Sequence, residues 1–97
     1  MTAASSAAVP TAYASRYLQQ LCKHWAHKMD VTFTPELGSI AFPGGATLGL
    51  TAHADRLELR LDVPHAGELE RMQGVVADHL NRFAFREGEL TFDWRPA

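Results

Sequence analysis

The sequence predicts an α+β domain that folds as a two-layer sandwich, with two helices on one face of an antiparallel sheet. Two segments carry apolar residues at intervals of three and four, which is the pattern of amphipathic helices. Other segments alternate apolar with polar residues, which is typical of strands with one buried face. The connections between the four middle strands are short and favour antiparallel neighbours. Two layers bury all of these apolar faces at once.

The predicted order of elements is β-α-β-β-β-β-α-β, within a single domain that comprises residues 1–97. A chain of this length buries enough surface for one core without disulfide bonds. Residues 1–3 are expected to be disordered. The first strand, Ser5–Val9, has small side chains and precedes Pro10, so a position at the sheet edge suits it.

The first helix is predicted over Tyr13–Lys28. Its apolar stripe consists of Ala14, Leu18, Leu21, Cys22, Trp25 and Met29. Thr11 precedes the helix and is a candidate N-cap, because a threonine hydroxyl can accept a hydrogen bond from a first-turn N–H. One flank, beside the stripe rather than opposite it, consists of Tyr13, Tyr17, Gln20, His24 and His27.

Four strands follow the first helix and are predicted to form an antiparallel meander. They are Val31–Thr34, Ser39–Phe42, Thr47–Thr51 and Leu57–Val63. The last has the clearest alternation, since an apolar residue occupies every second position. The turn between the first two strands is predicted at Pro35–Gly38.

A second helix and a closing strand complete the chain. The helix follows a bend at Pro64–Gly67, and its apolar stripe consists of Leu69, Met72, Val76, Leu80 and Phe83. Gly74 is expected to permit close approach to the first helix, and the closing strand is predicted over Leu90–Arg95. The residues expected to be buried together between helices and sheet are Leu21, Trp25, Leu59, Leu61, Val76, Leu80 and Phe92.

Composition and charge argue against several classes of function. The net charge of −2 gives no general attraction to nucleic acid, and the predicted open sheet face has no aromatic platform for stacking bases. No apolar segment is long enough to span a membrane. The single cysteine, Cys22, cannot form an internal disulfide, which is consistent with a cytoplasmic protein. No cofactor is predicted, because the glycine pair Gly44–Gly45 precedes a strand rather than a helix.

Three segments, in a specific order, carry a family resemblance. They are RYLQQLCKHWAHK (Arg16–Lys28), GVVADHLNRFAFREGEL (Gly74–Leu90) and TFDW (Thr91–Trp94). Together they resemble the bacterial domain of unknown function 2218 family, over nearly the whole chain from Val9. Members of that family are small proteins without an established activity. Related domains occur beside, or joined to, flavin-dependent siderophore-interacting proteins. The resemblance therefore implies a link to iron acquisition through such a flavoprotein.

The histidines are the first candidate site. His24 and His27 are neighbours on the first helix, and His79 of the second helix would join them if the helices lie side by side. The alternative is that these are flank residues whose rings are packed or solvated. A structural zinc site needs four ligands and a catalytic one three, and no zinc-binding spacing is present. We therefore predict that no metal is bound.

The end of the second helix is the other candidate site. Arg82, Arg86 and Glu87 are close in sequence, and with His79 they could form an anion-binding corner. Guanidinium and imidazole groups would donate to an oxygen-rich anion, such as a ferric chelate or a carboxylate of a partner. The alternative is a surface ion pair that complements the helix dipole. Cys22 lies on the apolar stripe and is predicted to be a core residue rather than a nucleophile.

These observations favour a small binding or accessory domain over a stand-alone enzyme, and no catalytic residue is predicted. The predicted partner is a siderophore-interacting flavoprotein or an anionic ligand. The alternative is a small enzyme or metal-binding protein that uses the three histidines where the helices meet. The candidate ligand-binding residues are His24, His27, His79, Arg82 and Arg86.

Overall fold

The computed structural model describes residues 1–97 and confirms the predicted fold class. The elements in chain order are β1 (Ala3–Pro10), α1 (Ala14–Trp25), β2 (Asp30–Phe33), β3 (Leu37–Ala41), β4 (Thr47–Ala52), β5 (Arg56–Val63), a 3₁₀ turn (Ala66–Glu68), α2 (Leu69–Phe83) and β6 (Arg95–Pro96). The six strands form one antiparallel sheet in the order β2-β3-β4-β5-β1-β6. Helix α1 packs against β2 to β5, and α2 packs against β5 and β1. Neither helix is long and apolar enough to cross a membrane.

Strand β5 provides the middle of the core, as its alternation predicted. Leu59 is buried under the helices, whereas Glu58 and Arg60 point to the open face of the sheet. Leu59 pairs with Leu50 of β4 on one side and with Ala7 of β1 on the other. Strand β1 is second from the edge of the sheet, because β6 pairs with its Ser5 and Ser6. The rest of β1 has no strand on that side, so the edge position expected for this strand is contradicted only at those two residues.

Helix α1 rests directly on the sheet at Gly38. A Cβ atom added to Gly38 would lie 3.0 Å from the Cys22 Sγ atom, so any larger residue there would require the neighbouring side chains to shift. By contrast, a Cβ atom at Gly74 of α2 would meet nothing within 4 Å. The close helix approach expected at Gly74 is therefore wrong, and the glycine that permits close packing lies in the sheet.

The core contains six of the seven residues predicted for it, and Phe92 is the exception because it is only half-buried. The closing strand is much shorter than predicted: only Arg95 and Pro96 pair with β1. The backbone N–H of Leu90 instead donates to the Asn81 Oδ1 atom over 2.8 Å. The rings of Phe92 and Trp94 stack with centroids 6.2 Å apart and pack at the margin of the core.

Three element boundaries differ from the prediction. Strand β1 begins at Ala3, which pairs with Val63, so the strand includes the last residue of the segment 1–3 that was expected to be disordered. Helix α1 ends at Trp25, because the N–H groups of Lys28 and Met29 both donate to the Trp25 carbonyl and close a turn. The first hairpin turn lies earlier than predicted. In this turn the Thr34 hydroxyl accepts hydrogen bonds from the N–H groups of Glu36 and Leu37.

Candidate anion-binding site

A cavity of about 240 Å³ lies where the first turns of α1 meet the end of α2 and the segment after it. We call it the arginine pocket, and its lining consists of Tyr13, Arg16, Tyr17, Phe83, Arg86 and Glu87. Depressions of about 360 and 700 Å³ lie on the open face of the sheet. There, however, Arg60 is paired with Asp62. The arginine pocket is smaller, but its arginines have no such partner.

The first turn of α1 supplies one wall of the pocket. The Thr11 hydroxyl accepts a 3.0 Å hydrogen bond from the N–H of Tyr13, which holds the chain as it enters the helix. The helix N-cap itself is Tyr13 rather than Thr11. Tyr13, Arg16 and Tyr17 are spaced at i, i+3 and i+4 and therefore share one side of the helix. The Arg16 guanidinium lies 5.3 Å from the centroid of the Tyr13 ring, which is cation–π distance.

Glu87 lies in the segment after α2, which forms the opposite wall, and it links this segment to α1 by hydrogen bonds. Its carboxylate accepts hydrogen bonds from the Tyr17 hydroxyl and, over 2.9 Å, from the Thr11 hydroxyl. Burial raises the pKa of Tyr17 to about 12, and the bond to Glu87 acts in the same direction. The surface ion pair considered for Glu87 does not form, since neither Arg82 nor Arg86 lies within ion-pair distance of it. Glu87 instead accepts partly buried hydrogen bonds from hydroxyl groups.

Arg16 and Arg86 are the two positive groups of the pocket. Neither has a carboxylate oxygen within 4 Å of a guanidinium nitrogen. Arg86 lies 5.7 Å from the ring centroid of Phe85. Since Glu87 carries one negative charge, the pocket has a net positive charge. A planar guanidinium with free N–H groups matches a carboxylate or phosphate in shape and charge.

The structure brings two of the three candidate histidines together. The rings of His24 and His79 have centroids 5.5 Å apart. His79 is half-buried against Trp25, with its Nδ1 atom 2.7 Å from the Val75 carbonyl oxygen. His27 is exposed in the turn after α1 and lines a different surface depression, beside Phe42. The histidines therefore form a pair rather than a trio.

The histidine pair adjoins the arginine pocket through Phe83. One side of Phe83 lines the pocket, and its ring centroid is 6.0 Å from that of His24. Of the two predicted arginines, Arg86 lines the pocket, whereas Arg82 is exposed on α2 and does not. The sequence reasoning missed Arg16 as a site residue. Its signal was present, because Arg16 follows Tyr13 by three residues on the flank already singled out.

The remaining candidates from the sequence are a metal site and a Cys22 nucleophile. No group of three or more His, Cys, Asp or Glu side chains is placed to hold a metal ion. Cys22 is fully buried in the core, and burial raises the pKa of its thiol to about 11. The thiol therefore stays protonated near neutral pH and acts as a small apolar side chain, as the stripe position predicted.

Two of three comparisons with known proteins give a match. A search of curated proteins finds no relative. The NMR structure of PA4090 from Pseudomonas aeruginosa matches with a TM-score of 0.80 and 44% identity, over 98% of this chain and 97% of that one. The family model described as "Uncharacterized protein conserved in bacteria (DUF2218)" matches residues 6–95. The chain therefore belongs to the DUF2218 family, as the resemblance of its helices and C-terminal segment implied.

Proposed function

We propose that this chain is a small accessory domain that binds an anionic, oxygen-rich ligand in the arginine pocket. One observation carries the proposal: Arg16 and Arg86, from opposite ends of the sequence, line one cavity without a carboxylate partner. Each guanidinium offers a rigid set of N–H donors. An anion with two or more oxygens would satisfy both groups at once.

The chemistry of the pocket supports binding rather than catalysis. The Glu87 carboxylate is already engaged by two hydroxyl groups. The raised pKa of Tyr17 keeps its phenol protonated near neutral pH. General acid–base catalysis needs a group whose pKa lies near the working pH, and the pKa of Tyr17 is raised away from that range. The pocket contains fixed donors, which suit recognition.

The proposal extends to a ferric chelate, or a surface carboxylate of a siderophore-interacting flavoprotein, as the anion. The support is the neighbourhood of such flavoproteins that the family resemblance implies, together with the donor set of the pocket. In this proposal His24 and His79 are additional donors beside the pocket, because their rings lie together and that of His24 lies next to Phe83 of the lining. Arg82, which is exposed on α2, is a further candidate donor. A cytoplasmic location is also proposed, because the single cysteine is buried and forms no disulfide.

Calorimetric titration with a soluble ferric citrate complex tests the proposal. Arg16→Gln and Arg86→Gln should each weaken binding about tenfold or more, since a hydrogen bond to a charged group contributes roughly 1.5–3 kcal/mol. Arg71→Gln is the matched control, because Arg71 is exposed at the other end of α2 and also lacks a carboxylate partner. Equal affinities in all four proteins would contradict the proposal, and no binding by the wild type would rule out the ferric chelate as its ligand.

The histidine pair supports a second candidate function, a small enzyme or metal-binding protein. The observation in its favour is the bond between His79 Nδ1 and the Val75 carbonyl, which leaves Nε2 free as a ligand or base. His24→Gln and His79→Gln test it, with the exposed His65→Gln as control. If the histidine variants abolished cobalt or ferric citrate binding while the arginine variants kept it, this candidate would replace the first.

A further inference from the structure

We infer that the arginine pocket selects a monoanion built on a single aromatic ring, that is, an arene carboxylate. The inference rests on the proposed function and adds the class of ligand to it. Three of the six lining side chains are aromatic, namely Tyr13, Tyr17 and Phe83. The Tyr13 and Tyr17 rings meet edge to face at 6.3 Å. A pocket for a hydrated inorganic anion has no need of these rings.

Exposed aromatic surface beside the two arginines supports the same conclusion. Tyr13 is 47% exposed and Phe85, next to Arg86, is 71% exposed. These are two of the four large hydrophobic side chains that the molecule leaves exposed, and both belong to the arginines' immediate surroundings. A flat apolar ring bound in the pocket would cover the exposed part of Tyr13, whereas a small hydrophilic anion would leave it in water.

The size of the pocket limits the ligand to one ring. An apolar cavity of about 150 Å³ holds one benzene molecule, so a cavity of about 240 Å³ has room for a ring and a carboxylate. It falls below the range of roughly 300–1,000 Å³ that is usual for drug-sized ligands. A fused or multi-ring ligand would therefore extend out of the pocket.

The charge of the pocket favours a monoanion. Two guanidinium groups are offset by the Glu87 carboxylate, which accepts hydrogen bonds from Tyr17 and Thr11. A single carboxylate would bring the site to neutrality. A dianion such as phosphate would place its second charge near Glu87, where like charges repel.

The test compares probes that separate charge from ring. Wild-type protein is titrated with benzoate, cyclohexanecarboxylate, acetate, benzyl alcohol and inorganic phosphate, with binding followed by NMR chemical shifts of the pocket residues. Benzoate should bind most tightly, and the saturated ring should bind about three- to tenfold more weakly, because it cannot take part in aromatic or cation–π contacts. Acetate and benzyl alcohol should be weaker still.

Variants then assign the contributions to residues. Tyr13→Leu should lower the affinity for benzoate to that for cyclohexanecarboxylate and leave the latter unchanged. Arg86→Gln should weaken both carboxylates, and Arg71→Gln should weaken neither.

Failure of the aromatic preference can be distinguished from failure of the anion-binding proposal. If acetate or phosphate bound as tightly as benzoate and lost affinity in Arg16→Gln and Arg86→Gln, the aromatic preference would be wrong and the anion site would stand. If no anion bound the wild type, ferric citrate included, both proposals would fall.

Discussion

Gly38 determines how closely α1 approaches the sheet. The glycine faces Cys22 Sγ at 3.0 Å, Leu50 Cδ1 at 3.3 Å and Leu18 Cδ2 at 3.4 Å, measured from the position that a Cβ atom would occupy. A dense interior cannot accept even one methyl group without displacement of its neighbours. The contact therefore accounts for a glycine inside a strand, where the residue otherwise weakens the structure.

We expect Gly38→Ala to lower the free energy of unfolding by about 1–3 kcal/mol, the usual cost of overpacking a core. Urea unfolding followed by circular dichroism measures it. Gly49→Ala is the matched control, because a Cβ atom at Gly49, in the neighbouring strand, meets nothing within 4 Å. Adding Cys22→Ala to Gly38→Ala should restore part of the loss by removing Sγ. Equal effects at the two glycines would show that the packing described here is not tight.

Tyr17 should make the stability of the protein fall at alkaline pH. Its folded pKa is raised from 10.0 to about 12, so the unfolded chain loses the phenolic proton first. The contribution is complete below pH 10 and is lost as the pH rises toward 12. Tyr17→Phe should therefore show a shallower decline of unfolding free energy over this interval. Tyr13→Phe, a change at a half-exposed tyrosine, should keep the wild-type slope, and an identical slope in all three proteins would contradict the account.

Helix α2 separates a buried side from a solvated side. Leu80 and Val76 are fully buried, whereas Gly74 is exposed. Glycine in a helix interior costs up to about 1 kcal/mol relative to alanine. Since Gly74 has an ordinary negative φ and free space around it, its presence lowers stability without a packing benefit.

We expect opposite effects from two alanine substitutions in α2. Gly74→Ala should raise the free energy of unfolding by about 0.5–1 kcal/mol, and Leu80→Ala should lower it by about 2–5 kcal/mol through lost burial and a cavity. Thermal and urea unfolding of both variants measure the changes. A stabilising Leu80→Ala or a strongly destabilising Gly74→Ala would place the buried side of α2 elsewhere.

The elements show which parts of the fold the sequence could predict. The alternation of Leu57–Val63 and the stripes of both helices predicted fold class and most of the core, because these patterns reflect burial of one face. The same reasoning failed at Leu90–Arg95. Alternation indicates that one side of a segment faces the core, but it does not indicate which groups form hydrogen bonds with the backbone. Here the Asn81 side-chain oxygen, nine residues earlier, accepts the hydrogen bond from the Leu90 N–H.

The candidate site was less predictable, because it depends on where distant segments meet. The pairing of His24 with His79 and the position of Arg86 follow from two helices on one face of the sheet. The bonds of Glu87 to Tyr17 and Thr11 join residues more than 60 positions apart, and no local pattern encodes them. Arg16 became a candidate only once the segment after α2 was seen to pack against the start of α1.

At the scale of the whole molecule, folding should not depend on a metal ion. The core between sheet and helices is continuous, and no cluster of three His, Cys, Asp or Glu side chains is placed to bind metal. We expect EDTA to leave the thermal midpoint unchanged and elemental analysis to find no stoichiometric metal. One zinc or iron ion per chain, with unfolding on chelation, would be the contrary result.

The two edges of the sheet are both short. Strand β2 has four residues, begins with Asp30 and is followed shortly by Pro35, while β6 has two residues and ends with Pro96. A charge and a proline are features that discourage a further strand from adding to an edge. These two outermost strands therefore offer a second copy of the chain few unpaired main-chain groups in register, and they are poor templates for growth into fibrils.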